Sequence, residues 1–228
     1  MADEYALGGR QAWPTMFFHR KWKDHPAHAP SIIRLLYERR DRAPTPIASG
    51  VAPTAKSARG LYESDFDLLD ADHDGIRALR TWFQQTIADA VAVANGARQK
   101  PQKLSVDIND SWAHITNDGG FHDAHYHGNC SWCGIYYVQA GDVRGTDATG
   151  AGNGVSRFYS PIGTGGLLRD YGNAYLTSNR IDITPVDGLL ILFPAYLLHS
   201  GLPYKGKADR IVVAFNSRCT NVDEEPAG

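Results

Sequence analysis

The spacing of hydrophobic residues changes near residue 100 of the chain. Before that point, apolar residues recur at spacings of three and four, which corresponds to one face of an α-helix. Beyond it, apolar and polar residues alternate, as in strands that bury one face. The pattern therefore predicts a helical first part, residues 1–100, followed by a β-rich part.

Two helices are predicted in the first part. Pro30 is favourable as the first residue of a helix, and the apolar stripe that follows it is expected to end near Arg42. A longer helix is predicted from Asp74 to Asn95, because its apolar residues share one face and Gly96 is a typical stop signal. We expect this face to pack on the outside of a sheet.

Irregular or extended segments flank these helices. The aromatic-rich segment 11–23 is predicted to contain a first strand. The segment 43–60 is rich in proline and glycine and is predicted to be a mobile loop.

The β-rich part contains short alternating segments separated by Gly, Asn, Asp and Pro. Strands are predicted at 104–109, 112–116, 133–139, 155–159, 180–183, 188–193 and 210–216. Because no helical pattern separates them, they favour an antiparallel sandwich or barrel. The glycine-rich segment 141–178 is long for a connection in such a fold, and we expect it to be a binding loop or lid.

Composition limits the possible functions. The 228 residues suit one domain, and a net charge of −2 argues against nucleic-acid binding through phosphate contacts. No apolar run spans a bilayer and no secretory signal opens the chain, so a cytoplasmic protein without a membrane partner is expected. Three cysteines do not suggest a disulfide framework, and Cys130 and Cys133 are interpreted as small buried side chains. Base rates favour a homodimer.

Candidate metal ligands occur at every second position from residue 123. Asp123, His125 and His127 would form a row on one face if this segment is extended. His199 follows the apolar segment 189–193 and is the best candidate for a ligand from another part of a barrel. Histidine and carboxylate side chains at such spacing predict a metal site.

Arg210 is a candidate for ligand binding, since it opens the last apolar strand. A buried guanidinium requires an anionic partner, and its planar fork matches a carboxylate in a two-point contact. The alternative is an internal salt bridge with Asp182 or Asp187.

Five segments, taken together, resemble a family of 2-oxoglutarate- and Fe(II)-dependent oxygenases. They are Trp112-Ala-His-Ile115, His125-Tyr-His127, Cys133-Gly-Ile-Tyr-Tyr-Val138, Phe193-Pro-Ala-Tyr-Leu-Leu-His199-Ser200 and Arg210-Ile-Val-Val-Ala-Phe-Asn216. The resemblance implies an α+β, mainly β fold: a double-stranded β-helix (jelly-roll) barrel with N-terminal helices packed on one sheet. The catalytic core would be residues 101–218 of a single domain spanning 1–228.

The resemblance also implies roles for individual residues. His125, His127 and His199 would bind Fe(II), and Arg210 would bind the far carboxylate of 2-oxoglutarate. In the wider superfamily one ligand is usually a carboxylate. Asp123 is therefore the alternative third ligand, in which case His127 would orient a ligand or the substrate instead of binding the metal.

Further residues are expected around the cosubstrate and the substrate. The cosubstrate candidates are Tyr137, Tyr196, Val212 and Asn216; Val212 stands where the family often has a serine. The substrate candidates are Trp112, Asn117, Trp132 and Arg157.

The implied reaction is oxidation, usually hydroxylation, of an unactivated C–H bond in a small molecule such as an amino acid or biosynthetic intermediate. Molecular oxygen would be consumed, and succinate and CO2 released. Two alternatives are a cupin-type three-histidine metalloenzyme that does not use 2-oxoglutarate and a non-catalytic jelly-roll binding protein.

Overall fold

The computed structural model describes residues 15–42, 59–96, 104–142, 152–161 and 180–221. Nearly all of the predicted loop 43–60, and most of the predicted binding loop 141–178, lie outside these ranges. In the described ranges, no helix is both long and apolar enough to span a membrane.

Ten strands and two α-helices make up the regular structure of the described residues. In chain order they are β1 (Phe18–Lys21), α1 (His25–Arg42), β2 (Leu61–Glu63), α2 (Asp74–Asn95), β3 (Leu104–Thr116), β4 (Gly120–His125), β5 (Trp132–Gln139), β6 (Ser156–Tyr159), β7 (Arg180–Ile183), β8 (Leu189–Pro194), β9 (His199–Tyr204) and β10 (Arg210–Asn221). A short 3-10 turn, Leu68–Asp70, precedes α2.

The strands form two antiparallel sheets that face each other across a cavity. The larger sheet has the order β1-β8-β5-β10-β3-β2, and the smaller has the order β4-β9-β6-β7. This is the double-stranded β-helix expected from the sequence, and the mainly β fold is confirmed. The predicted division into a helical part and a catalytic core stays a prediction.

The central strands of the larger sheet present different residues to its two faces. On β10, Arg210, Val212 and Ala214 line the cavity, whereas Ile211 and Val213 belong to the core beneath the helices. This follows from the period of two along a strand. The sheet therefore divides the helix-covered core from the cavity.

Helix α2 packs on the outer face of the larger sheet, as its apolar stripe predicts. The ring of Phe83 lies 4.6 Å from that of Phe215 and 5.5 Å from that of Tyr136. At its N-terminus the His73 side chain accepts a hydrogen bond from the amide of Ile76. At its C-terminus Gly96 has a φ of 61°, which a glycine adopts without steric cost.

The structure corrects the prediction for the first helix. Helix α1 begins at His25, so Pro30 lies inside it rather than at its first position. The residue four positions before Pro30 is Pro26, in the first turn. The missing amide of Pro30 therefore leaves only that one early carbonyl without its helical partner.

Four strands differ from the prediction: β2, β4 and β9 were not among the predicted strands, and β3 was predicted as two. Strand β3 runs without interruption where two strands, 104–109 and 112–116, were predicted. Strand β9 was not predicted, because Ser200, Gly201 and Pro203 weaken its strand pattern.

Candidate metal centre and cosubstrate cavity

Three histidines meet at one end of the cavity. His125 ends β4 and His199 begins β9, and the two residues are direct partners in the antiparallel ladder. His127 follows β4, and its amide donates a hydrogen bond of 3.1 Å to the carbonyl of Ala195. The candidate ligand atoms of the three side chains all lie within 4.8 Å of one another.

Backbone carbonyls fix the orientation of two of the rings. Nδ1 of His125 lies 2.7 Å from the carbonyl oxygen of Asp123, and Nδ1 of His199 lies 3.0 Å from that of Leu197. In the neutral ring, Nδ1–H donates these bonds and the lone pair is on Nε2. Such bonds commonly orient metal-binding histidines, so the donor set fits a metal ion.

Burial keeps His199 in the neutral form that binds metals. Burial lowers the pKa of His199 well below its usual value, and the neighbouring rings of His125 and His127 lower it further. The carbonyl of Leu197 opposes this effect in part. Neutral imidazole is the form that coordinates a metal ion.

Asp123 lies apart from the histidine cluster. Its side chain is exposed, and its Oδ1 accepts a hydrogen bond of 2.7 Å from the amide of Ala124. The group of described residues whose ligand atoms meet contains His127 and not Asp123.

Arg210 lies at the other end of the same cavity and is buried. Its Nε donates to the carbonyl of Ala140 at 3.0 Å, and Nη1 donates to the carbonyl of Gly154. The guanidinium carbon lies 4.0 Å from the centre of the Tyr204 ring. Burial lowers the pKa of Arg210 to about 10, so the group remains a cation at neutral pH.

The carboxylates that the sequence offered as partners of Arg210 have other contacts. Asp182 accepts two hydrogen bonds from Arg157, at 2.7 and 2.8 Å. Asp187 accepts the amide of Ala140 at 2.7 Å.

Between the two ends lies a cavity with a space of about 730 Å³, a volume that includes its mouth, which is open to solvent. Its wall on the larger sheet is built from aligned positions: Val212 faces His114 on β3 and Tyr137 on β5. The Tyr137 hydroxyl shares a 2.6 Å hydrogen bond with the Ser156 hydroxyl from the opposite sheet. Burial raises the pKa of Tyr137 to about 12, so it stays a neutral phenol that can donate a hydrogen bond.

Of the four predicted substrate residues, only Trp112 lines this cavity. Asn117 donates to Asp209 at 2.9 Å and stabilises a turn. Trp132 packs on Phe18, with ring centres 5.7 Å apart. Arg157 is held by Asp182 across β6 and β7.

The predicted cosubstrate residues also separate into two groups. Tyr137 and Val212 line the cavity with Arg210. Tyr196 is 59% exposed and does not line it. Asn216 is also absent from the lining, and its amide contacts Asp110 and the thiol of Cys133.

A buried Glu–His pair in the cavity wall was not predicted. Nε2 of His114 lies 2.7 Å from Oε2 of Glu63. The ring of His114 contacts that of His122, which stacks on His125 with ring centres 3.9 Å apart. The alternation of 112–116 placed His114 on the same face as Trp112, but its partner on β2 comes from a segment that has no strand pattern.

A jelly-roll barrel with a histidine cluster and a buried arginine at opposite ends of its cavity has the features of a non-haem metal-dependent oxidoreductase. Residues 110–216, which contain all four of these side chains, match the family model described as "Putative 2OG-Fe(II) oxygenase". No curated protein matches the sequence.

Solved structures share the fold at low sequence identity. AviO1 from Streptomyces viridochromogenes Tue57 is 13% identical, covering 93% of this chain and 92% of its own, with a TM-score of 0.54. A prolyl hydroxylase from Trichoplax adhaerens, in complex with a hypoxia inducible factor peptide fragment, is 13% identical. The match covers 88% of this chain and 82% of the hydroxylase, with a TM-score of 0.53. HygX from Streptomyces hygroscopicus, with nickel, 2-oxoglutarate and hygromycin B bound, is 14% identical. The match covers 90% of this chain and 83% of HygX, with a TM-score of 0.53.

Over residues 110–216, just under half of the chain, the sequence thus matches the 2-oxoglutarate- and Fe(II)-dependent oxygenases, and the solved structures share its fold. The family match and the histidine cluster indicate an oxidoreductase whose cofactors are Fe(II) and 2-oxoglutarate and whose reaction requires molecular oxygen and a substrate.

Proposed function

We propose that His125, His127 and His199 bind Fe(II), and that Arg210 binds the far carboxylate of 2-oxoglutarate. The enzyme then hydroxylates an unactivated C–H bond of a small molecule, such as an amino acid or biosynthetic intermediate. The observation that carries this proposal is that the histidine cluster and the buried cation lie at opposite ends of one cavity.

The protein groups bind and orient the cosubstrate. Arg210 is held in place by the carbonyls of Ala140 and Gly154, so its guanidinium is ordered before a ligand arrives. The phenol of Tyr137 is within the same wall and supplies a neutral hydrogen-bond donor. Three histidines on one side of a metal ion leave its remaining positions for ligands.

When bound, Fe(II) supplies the oxidising chemistry with O2 and 2-oxoglutarate, which leaves as succinate and CO2. The cavity walls are mostly apolar and most polar groups on them are buried, so ligands that fill the cavity displace water from it. Preorganised groups around a dry cavity favour reaction of the bound substrate over side reactions.

The lining of the cavity favours a small substrate. The space of about 730 Å³ is shared with 2-oxoglutarate. Of the described residues that line it, Arg210 alone carries a permanent charge, and we assign that charge to the cosubstrate. An uncharged or weakly charged small molecule therefore fits the remaining space best.

A peptide is the second candidate substrate. Tyr126 is 70% exposed and lies between His125 and His127 in the sequence. Tyr196 is 59% exposed and follows Ala195, whose carbonyl accepts the hydrogen bond from the amide of His127. Exposed aromatic side chains beside a site are typical of surfaces that bind chains. The Trichoplax enzyme of the same fold was crystallised with a peptide fragment.

Anaerobic titration tests the binding roles. Fe(II) and then 2-oxoglutarate are added to the wild-type protein and to the His199→Ala and Arg210→Met variants, and the visible charge-transfer band of the chelated keto acid is recorded. We expect the band in the wild type, its loss in His199→Ala, and at least ~10-fold weaker 2-oxoglutarate binding in Arg210→Met. Iron binding without a band in the wild type would contradict the proposal.

Succinate release tests the substrate class. Fe(II)-loaded enzyme is given O2, 2-oxoglutarate and one of two collections: free amino acids and small metabolites, or short peptides. Stimulation of succinate formation by a small molecule, with a product heavier by one oxygen atom, supports the proposal. Stimulation by peptides alone would establish the second candidate instead.

A further inference from the structure

The indole of Trp112 is a buried donor that lacks a partner in the described parts of the chain. The residue is 5% exposed, and Nε1 has no hydrogen-bond partner among the described residues. An indole N–H can only donate a hydrogen bond. Because an unpaired buried donor is costly, such a group points to an acceptor that a ligand brings.

The position of Trp112 places this donor at the histidine end of the cavity. Its ring lies 5.8 Å from that of His127 and 5.2 Å from that of Phe66. In the β3–β10 ladder, Trp112 faces Ala214, whereas Arg210 faces Thr116. Four residues along a strand correspond to about 13 Å, so the donor and the guanidinium are well separated on the same wall.

We propose that the indole N–H of Trp112 donates a hydrogen bond to the carboxylate at the keto-acid end of 2-oxoglutarate. This inference rests on the proposed function, in which Arg210 holds the other carboxylate. A five-carbon diacid held there extends along the wall towards the histidines, past the level of Tyr137 and Val212. Its keto-acid carboxylate then reaches the level of Trp112, and a carboxylate has acceptor sites beyond those that a metal ion uses.

The burial of the donor favours the cosubstrate over the primary substrate as its partner. Nε1 is shielded from solvent, although Phe66, whose ring contacts the indole, is partly exposed. A ligand that pairs with this atom has to fill the interior of the cavity. Trp112 is therefore a cosubstrate-binding residue, and not the substrate residue that the sequence predicted.

Two keto acids and matched variants test this assignment. Pyruvate has the keto-acid end of 2-oxoglutarate but lacks the far carboxylate. Trp112→Phe removes the N–H and keeps an aromatic wall, and Trp132→Phe is the control, because Trp132 lies outside the cavity lining. Affinities are measured on the Fe(II)-loaded proteins without oxygen, from the charge-transfer band.

We expect Trp112→Phe to weaken the binding of both keto acids by the same factor, about 5- to 10-fold. Arg210→Met should weaken 2-oxoglutarate binding and leave pyruvate binding unchanged, and Trp132→Phe should change neither. An equal loss for both ligands is not produced by partial misfolding, which lowers the amplitude of the band and not the affinity. If Trp112→Phe does not fold, 3-benzothienylalanine at position 112 replaces the N–H by sulfur in a ring of the same shape.

Three results would overturn the assignment. Unchanged affinity for both keto acids in the folded variant would show that the indole does not contact the cosubstrate. Weaker binding of 2-oxoglutarate alone, with pyruvate binding unchanged, would show that Trp112 acts on the far carboxylate and not on the keto-acid end. Wild-type protein that binds Fe(II) but neither keto acid would refute the proposed function itself, which separates that failure from the other two.

Discussion

His125 and His199 are direct partners across the β4–β9 ladder, and their ring centres lie 4.3 Å apart. Strand pairing therefore fixes their backbones. His127 lies two residues beyond the end of its strand and is held by a backbone hydrogen bond to Ala195. The metal centre thus combines two ligand candidates on a rigid ladder with one on a tethered segment.

The third ligand can be identified by comparing His127→Ala with Asp123→Ala. We expect His127→Ala to lower Fe(II) affinity by at least ~10-fold, because a ligand is lost. Asp123→Ala should have little effect, since the carbonyl that orients His125 belongs to the backbone and remains. Competition with a coloured chelator measures both affinities; metal loss in Asp123→Ala alone would show that the carboxylate is the ligand.

Gly154→Ala should weaken 2-oxoglutarate binding without removing any group that binds it. Gly154 has a φ of 63°, and a Cβ at this position would overlap the guanidinium of Arg210. We expect a destabilisation of about 1–3 kcal/mol together with displacement of the arginine. Gly128→Ala is the matched control, because a Cβ there meets no atom within 4 Å.

Thermal unfolding and the charge-transfer titration measure the two effects of Gly154→Ala. Wild-type affinity for 2-oxoglutarate in Gly154→Ala would show that Arg210 does not need its present position. A similar loss in Gly128→Ala would show that the effect is not specific to the arginine.

The Glu63–His114 pair should contribute strongly to stability. Both side chains are buried, and removing one partner leaves the other without its hydrogen bond. We expect Glu63→Ala to lower the free energy of unfolding by about 3 kcal/mol. The control is Asp70→Ala, which breaks an exposed pair with Arg80 and should cost less than about 1 kcal/mol. Urea denaturation measures both; equal midpoints for the two variants would contradict the expectation.

Cys130 should react with iodoacetamide before the other cysteines. A hydrogen bond from Cys133, whose Sγ lies 3.7 Å away, lowers the pKa of the Cys130 thiol. The same contact and burial raise the pKa of Cys133, and burial raises that of Cys219 to about 11. At pH 8 the thiolate fraction is therefore largest at Cys130.

Peptide mass spectrometry after brief labelling identifies the modified cysteine. Cys133→Ala should slow the labelling of Cys130, because it removes the donor whose hydrogen bond lowers the pKa of the Cys130 thiol. Faster labelling of Cys219 than of Cys130 would contradict the assignment. The three thiols are free in the structure. Cys133 is buried, as expected for a small buried side chain, whereas Cys130 and Cys219 are partly exposed.

Local sequence patterns were sufficient for α2 and for the apolar strands β8 and β10. The apolar stripe of α2 matches the face that it buries, and the continuous apolar run of β8 matches a strand buried on both faces, with Leu190 and Leu192 beneath the helices and Phe193 on the opposite side. The His-x-His segment and His199 were also found from sequence, since their residue types and spacing are distinctive.

The remaining site features depend on contacts between distant segments. Strand β9 forms although Gly201 and Pro203 disfavour it, because β4 and β6 supply its hydrogen bonds. Arg157 has a charge suited to substrate binding, but Asp182 faces it across a ladder whose register the sequence does not reveal.

The larger sheet is a partition shared by two compartments, so changes on its two sides are coupled. On β10, Ile211 and Phe215 belong to the core beneath the helices, and the ring of Phe215 contacts that of Phe83. Val212, the residue after Ile211, lines the cavity on the other side of the sheet. A one-residue insertion in β10 would exchange its apolar and cavity-facing sets together and damage both compartments. Variation of substrate range is therefore more accessible through the smaller sheet: its edge strand β7 has exposed residues, and in the described parts of the chain the two α-helices belong to the core on the larger sheet.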